Sequence, residues 1–170
     1  MNLERFKRAQ AQESNGFAAA MRELREGRKR GHWIWYIFPQ LAGLGQSSMS
    51  TLYGLEGVAE ATAYLRDAEL RTRLVTATGV VADALRHVPP PALADLMGSE
   101  IDALKLISSI TLFRGVAERL SQDDQSLHQE FVANANFILT VASAQGYPPC
   151  VFTERQLKSW LALEDPSEPN

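Results

Sequence analysis

Apolar positions recur at helical spacing along most of the chain, and the interruptions fall at glycine, proline and small polar residues. Leu3 and Phe6 open a short helix that breaks at Ser14-Asn15-Gly16. Phe17, Met21 and Leu24 follow at spacings of four and three, one apolar stripe that Gly27 ends. A further helical stretch runs from about Ser48 through Tyr64, with a possible break at Gly54. From Ala68 to His87 the pattern predicts a long helix with Leu70, Leu74, Ala77, Val81 and Leu85 on one face. Pro89, Pro90 and Pro91 stop it, since proline cannot donate to the helix ladder and restrains the residue before it.

Ser99 and Asp102 form a Ser-x-x-Asp capping box for a helix from about Glu100 to Leu120. Ala103, Leu106, Ile107, Ile110, Phe113 and Ala117 share one arc at ~100° per residue, but Leu104 and Leu112 lie on other sides, so burial nearly all round is expected. Another helix is expected from about Gln122 to Ala144, with Phe131, Ile138 and Val141 inward, before Gly146 and Pro148-Pro149. Thr153 and Gln156 suggest a last capping box, for a helix carrying Leu157, Trp160 and Leu161. The domain organisation that follows is a single helical domain over 1–163 and a flexible acidic tail over 164–170.

The six apolar residues Trp33 to Phe38 suit either a buried strand or a buried helical turn. No other convincing strand exists to pair with them, and a lone strand would leave its backbone N–H and C=O groups unpaired. The chain therefore reads as all-α, one compact multi-helix domain with an irregular aromatic segment at 31–48.

Composition narrows the picture. No apolar run reaches the length of about 18 residues that spans a bilayer, and the N-terminus begins Met-Asn-Leu-Glu-Arg-Phe-Lys-Arg, so no membrane partner or export signal is indicated and a cytoplasmic location is expected. Cys150 is the one cysteine, which excludes an intramolecular disulfide and favours packing over nucleophilic chemistry. A net charge of −3 argues against broad attraction to nucleic acid. His32, His87 and His128 are isolated from one another and no cysteine cluster exists, so neither a metal site nor a cofactor is read from the sequence.

Candidate chemistry gathers in three places. Gly31 to Ser48 holds two of the three tryptophans and a Gly43-x-Gly45-x-Ser47-Ser48 turn, which offers backbone N–H groups to a phosphate or serves simply as a turn and helix cap. Beside it, Arg28 or Arg30 is a candidate anion clamp, and His32 is a candidate proton carrier or a hydrogen-bonded structural residue, while Gln40 and the faces of Trp33 and Trp35 suit a ligand wall, with core packing the alternative for at least one of the tryptophans; a basic cluster of Arg25, Arg28, Lys29 and Arg30 is also what a helix C-terminus favours without any ligand. Lys105, Ser108 and Ser109 share a helix face, where Lys105 either contacts an anion or pairs with Asp102 one turn earlier, and a Ser-Lys nucleophile is a further alternative. Glu60 and Tyr64, also one turn apart, form a possible second polar wall with Glu60 as acid or base, unless Glu60 is only a solvated helix residue.

Several of these residues carry a family resemblance. Arg28-Lys29-Arg30-Gly31-His32-Trp33-Ile34-Trp35-Tyr36-Ile37-Phe38-Pro39-Gln40-Leu41-Ala42-Gly43-Leu44-Gly45-Gln46-Ser47, with Leu3 to Gln10, Glu60-Ala61-x-x-Tyr64-Leu65 and Leu104 to Phe113, resembles the bacterial family known as domain of unknown function 1810. The resemblance implies a mostly helical single domain and no established activity. Gly31, the stretch Asp67 to Arg73 and the C-terminal third depart from the family pattern. A fainter similarity links the aromatic segment and the later glutamate helix to the NADAR group of ADP-ribose metabolism, although Glu60-Ala61 stands where that group has Glu-His. The combined expectation is a protein that binds, and in one version hydrolyses, a small phosphate-bearing metabolite such as a nucleotide or ADP-ribose derivative. The competing expectation is a non-catalytic protein interaction module. The first requires the aromatic segment and the Lys105 to Phe113 helix to meet in space.

Overall fold

A computed structural model describes residues 2–120 and 126–164. The acidic tail lies outside these from residue 165 onward, as does the start expected near Gln122. Among the described residues the chain forms ten helices: α1 Glu4–Gln10, α2 Phe17–Arg25, α3 Ile34–Ile37, α4 Ser48–Tyr53, α5 Val58–Arg66, α6 Ala68–Leu85, α7 Leu93–Leu96, α8 Glu100–Leu120, α9 Ser126–Ala144 and α10 Val151–Glu164. None of them is long and apolar enough to cross a membrane.

Helix α8 is the axis of the molecule. Every residue from Leu106 to Phe113 is buried, because α3, α5, α7, α9 and α10 all surround it. A helix enclosed on all sides must dispose of its polar side chains internally. Thr111 Oγ1 donates to Ile107 O at 2.7 Å and accepts from Cys150 N at 3.2 Å, which ties the segment before α10 to the centre of α8. Ser108 Oγ lies 3.3 Å from Thr153 Oγ1.

A ladder of aromatic rings links the short N-terminal helices to that axis. Tyr36 of α3 meets Tyr53 of α4 edge-on at 5.1 Å, Tyr53 reaches Phe6 of α1 at 5.9 Å, Phe6 meets Tyr64 of α5 at 5.2 Å, and Tyr64 meets Phe113 of α8 at 5.2 Å. Tilted and edge-on contacts at these separations add to the apolar area each ring buries. Helices as short as α3 and α4 are not stable by themselves in water, so these ring contacts are what hold them.

Polar clamps fix the same elements. Arg5 donates to both carboxylate oxygens of Glu60, at 2.8 and 3.1 Å, and to Gly54 O at 3.1 Å. Gln10 Nε2 donates to Tyr36 O at 2.7 Å and Tyr64 Oη at 3.0 Å. Leu41 and Leu55 form one isolated parallel bridge, with Ala42 N donating to Leu55 O and Leu55 N to Gln40 O, both at 2.9 Å. That bridge closes the loop carrying α4. Gly54 permits the closure, since a Cβ there would stand 2.7 Å from Ser50 O and 2.9 Å from Ala42 Cα.

The break expected at Gly54 is present: Gly54 to Gly57 divide α4 from α5, and Gly57 takes a φ of 143° that L side chains rarely adopt. Two other features depart from the sequence reading. Helix α7 was not foreseen, although Leu93, Leu96 and Met97 are buried at spacings of three and four. Thr153 does not cap α10, which begins at Val151 with Cys150 O accepting from Glu154 N at 2.9 Å; Thr153 is instead drawn fully inside, against Ser108.

Because Phe113 is both the end of the ring ladder and a wholly buried residue of the axis, Phe113→Ala should cost about 3–5 kcal/mol of unfolding free energy. A urea titration followed by circular dichroism measures it, and a loss below about 1 kcal/mol would remove the ladder from the account.

Candidate functional site

A buried lysine organises the region where the aromatic segment meets α8. Lys29 is only 7% exposed, a placement that desolvates an ammonium and demands a partner. Its Nζ lies 2.7 Å from Asp102 Oδ2, donates to Gly31 O at 2.5 Å and sits 5.1 Å from the centre of the Trp33 ring. Its backbone N donates to Leu96 O at 2.8 Å. Gly98, at φ 78°, lets the chain pass close behind it, since a Cβ there would stand 2.7 Å from Lys29 O. Asp102 in turn accepts from Lys105 Nζ at 3.0 Å, and that ammonium stands 4.3 Å from the centre of the Trp35 ring. Two lysines therefore share one carboxylate, and the tryptophan face favours the outer of the two cations.

The loop leading into α3 is held by a second carboxylate. One oxygen of Glu23 accepts from Arg30 N at 2.7 Å, Gly31 N at 2.8 Å and Trp33 Nε1 at 2.9 Å. Burial alone would push the Glu23 carboxyl up, but these donors and the Lys29 charge outweigh it and hold it below its usual range. Asp102 behaves alike: burial opposes its charge, while the hydrogen bonds and charges of Lys29 and Lys105 prevail and keep it below the ordinary aspartate value.

Between the aromatic segment, the N-terminal half of α8 and the segment before α10 opens a cleft of about 620 Å³. Gln40, Gly45, Gln46, Ser47 and Ser50 form one wall, Ile101, Leu104, Lys105, Ile107 and Ser108 another, and Pro148, Pro149 and Cys150 a third, with Leu44 completing the apolar lining. Lys105 is the one charged side chain among them. Two of its three N–H donors are free of Asp102. Asp102 and Trp35 hold its ammonium in place, so it presents those donors with little of the ordering entropy that a long flexible side chain would otherwise lose.

Among known families, the model of one described as a protein of unknown function, DUF1810, matches residues 1–140. The chain belongs to the DUF1810 family. Among solved structures, the crystal structure of the conserved hypothetical protein Rv1873 from Mycobacterium tuberculosis is similar, with 34% identity, a TM-score of 0.68, and coverage of 90% of this chain and 94% of that one. No curated protein matches. The DUF1810 match spans α1 to α8 and most of α9, and so takes in the aromatic and α8 walls of the cleft, whereas Pro148, Pro149 and Cys150 lie beyond it.

In this DUF1810 protein the expected meeting of the aromatic segment with α8 is present, and it selects among the candidate residues. Gln40, Gly45, Ser47, Lys105 and Ser108 line the cleft together, with Trp35 behind Lys105. Gly43 and Ser48 flank the same turn without lining it. Ser47 is the α4 N-cap: its hydroxyl accepts from Ser50 N and its own N donates to Ser50 Oγ, both at 3.1 Å, so two of the turn's amides are already occupied. Ser109 is wholly buried and Ser108 pairs with Thr153 while Lys105 pairs with Asp102, so no Ser-Lys dyad is assembled.

The others stand elsewhere. Trp33 is entirely buried, with its indole N–H given to Glu23. Arg30 is exposed and pairs with Glu26 at 2.6 Å, and His32 is exposed and absent from the lining. Glu60 is no solvated residue: its carboxylate is committed to Arg5 and to Glu56 N, and Tyr64 is sealed in the ring ladder. Conversely, Lys29 looked like one of four helix-terminal cations, yet α2 ends at Arg25 and Lys29 is the buried one. Cys150 lines the cleft, partly exposed, rather than sitting in the core. The Pro-Pro-Cys run ahead of an apolar helix was the available sign of that third wall. Among the described residues no cluster of three or more His, Cys, Asp or Glu could hold a metal ion.

A depressed folded-state pKa at Asp102 contributes stability that is present above the unfolded value, near ~3.9, and is lost as pH falls through the lower folded value. The urea midpoint of the DUF1810 chain should therefore fall as the pH drops below about 5, and the fall should be shallower in Asp102→Asn. Identical acid slopes in the two proteins would show that the lysine–aspartate–lysine chain contributes nothing.

Proposed function

We propose that this protein binds a small phosphate-bearing metabolite in the cleft between the aromatic segment and α8, with Lys105 as the contact to the anion. The carrying observation is the Lys105 ammonium itself, the one charge on the lining, fixed by Asp102 and by the Trp35 ring while its remaining donors are unused. Gln40 and Gln46 supply neutral hydrogen-bonding groups around it. No carboxylate or histidine lies on the lining to pair with Lys105 or Cys150 as acid and base, and the reading is accordingly of a binding protein.

One observation favours a second reading, an interaction surface. Ile101 and Leu104 are 66% and 55% exposed on the cleft wall, and Val151 and Phe152, exposed as well, follow Cys150 directly in the chain. Exposed apolar side chains such as Ile101 and Leu104 suit a protein partner as they suit the body of a ligand.

A thermal-shift panel of nucleotides, sugar phosphates and NAD derivatives separates the two. At ~100 times its dissociation constant a bound ligand adds about 2.7 kcal/mol, which for a chain of this size raises the midpoint by about 5–10 °C. Lys105→Met, which keeps the stem on Trp35 and removes the charge, should abolish that shift, and Arg30→Ala should leave it intact. A flat response from folded protein across the whole panel would support the interaction surface instead, and recovery of a hydrolysed product by mass spectrometry would contradict the binding-only reading.

A further inference from the structure

We infer that the ligand of this cleft carries a single phosphate monoester on an apolar, flat body, and not a pyrophosphate; the inference rests on the binding reading above and narrows it. The charge inventory decides the number of phosphates. Lys29, Asp102 and Lys105 together carry one net positive charge, and the Lys29 ammonium is turned away into Asp102 and Gly31 O, which leaves the Lys105 ammonium as the sole cation on the lining. A phosphate monoester brings about −1.5 to −2 charges at neutral pH, and one ammonium with two free donors answers it in part while solvent at the open side answers the rest. A second phosphate would find no second cation on the lining: Leu44, Ile101, Leu104, Ile107 and the two prolines are apolar, and the neutral amides of Gln40 and Gln46 cannot balance a further charge. The turn that precedes α4 gives little help, because Ser47 and Ser50 commit their hydroxyls and backbone N–H groups to each other.

The same walls decide the body. Six apolar side chains face a cleft of about 620 Å³, so a ribose alone would leave them wet, whereas a planar heterocycle or aryl group covers them. Gln40 and Gln46 provide amide groups able to meet the edge of such a ring. Volume does not set the limit, since a space of this size lies within the range that accepts drug-sized ligands; charge does.

The test is isothermal titration of the full chain with adenosine monophosphate, ribose 5-phosphate, adenosine diphosphate and ADP-ribose at fixed ionic strength. Adenosine monophosphate should bind, ribose 5-phosphate at least tenfold more weakly, and neither pyrophosphate compound more tightly than the monophosphate. Leu104→Asp, at a side chain exposed enough to keep the fold, should weaken the monophosphate at least tenfold by placing a negative charge on the apolar wall. Tighter binding of adenosine diphosphate or ADP-ribose through Lys105 would overturn the single-phosphate inference and leave the binding reading standing. Equal binding of ribose 5-phosphate would overturn the apolar body in the same way. Absence of binding by all four, with every variant folded by circular dichroism, would overturn the inference and the binding reading together.

Discussion

The ion pair between Lys29 and Asp102 is the constraint on which the rest of this region depends. An ammonium nearly removed from water is tolerable only with a carboxylate at contact distance, and here that carboxylate sits in the first turn of α8. The pair therefore fixes where the chain must pass between α2 and α3, with Glu23 gathering the backbone of Arg30 and Gly31 and the indole of Trp33 on the same side. Once that passage is fixed, Trp33 falls into the core and Trp35 falls beneath Lys105. Asp102, already negative for the sake of Lys29, holds Lys105 with its other oxygen. Internal stability and the charge presented to the cleft thus come from one carboxylate.

The cleft follows from the enclosure of α8. From Leu106 to Phe113 the helix is covered on every side, but its first turns emerge from the surrounding helices, and Ile101, Leu104 and Lys105 stand on that emergent part. The bridge between Leu41 and Leu55 throws α4 and its capping turn toward the same end, and the hydrogen bond from Cys150 N to Thr111 brings the Pro148–Cys150 segment in from the other side. Three separate devices, one for each wall, leave a space that none of them fills. Its lining is mostly apolar, with Lys105 as its single charged side chain.

Much of this was legible in the sequence, and what was not has identifiable causes. The long helices were readable because their apolar residues recur at three and four and their ends carry proline, glycine or a serine cap, as at Ser99, whose Oγ accepts from Asp102 N at 3.1 Å. The burial of α8 from Leu106 onward was readable from Leu112 lying off the main apolar arc, whereas Leu104, read the same way, is 55% exposed because it stands on the cleft wall. Helix α7 was hidden because four residues give too little periodicity to register between a proline run and a cap. Thr153 was misread because a threonine three residues before a glutamine satisfies a local rule, while its partner Ser108 is 45 positions away. Lys29 was misread for the same reason: nothing in Arg28-Lys29-Arg30 marks the middle cation as the buried one until Asp102 is brought to it. Of the proposed ligand residues, Lys105 and Ser108 of α8 and Gly45 and Ser47 of the turn came together, whereas Ser109 is buried, Gly43 and Ser48 lie off the lining, and Glu60 and Tyr64 share a helix face that turns inward to Arg5 and the ring ladder.

Cys150 offers the most direct measurement of whether the cleft is the ligand site, since it is the chain's single cysteine and its side chain lies on the lining. The rate at which iodoacetamide alkylates it can be followed by intact-mass spectrometry with and without saturating adenosine monophosphate. Occupancy of the cleft predicts at least a fivefold slowing that disappears in Lys105→Met. An unchanged rate under conditions where the same compound raises the thermal midpoint would place the ligand elsewhere and contradict the account.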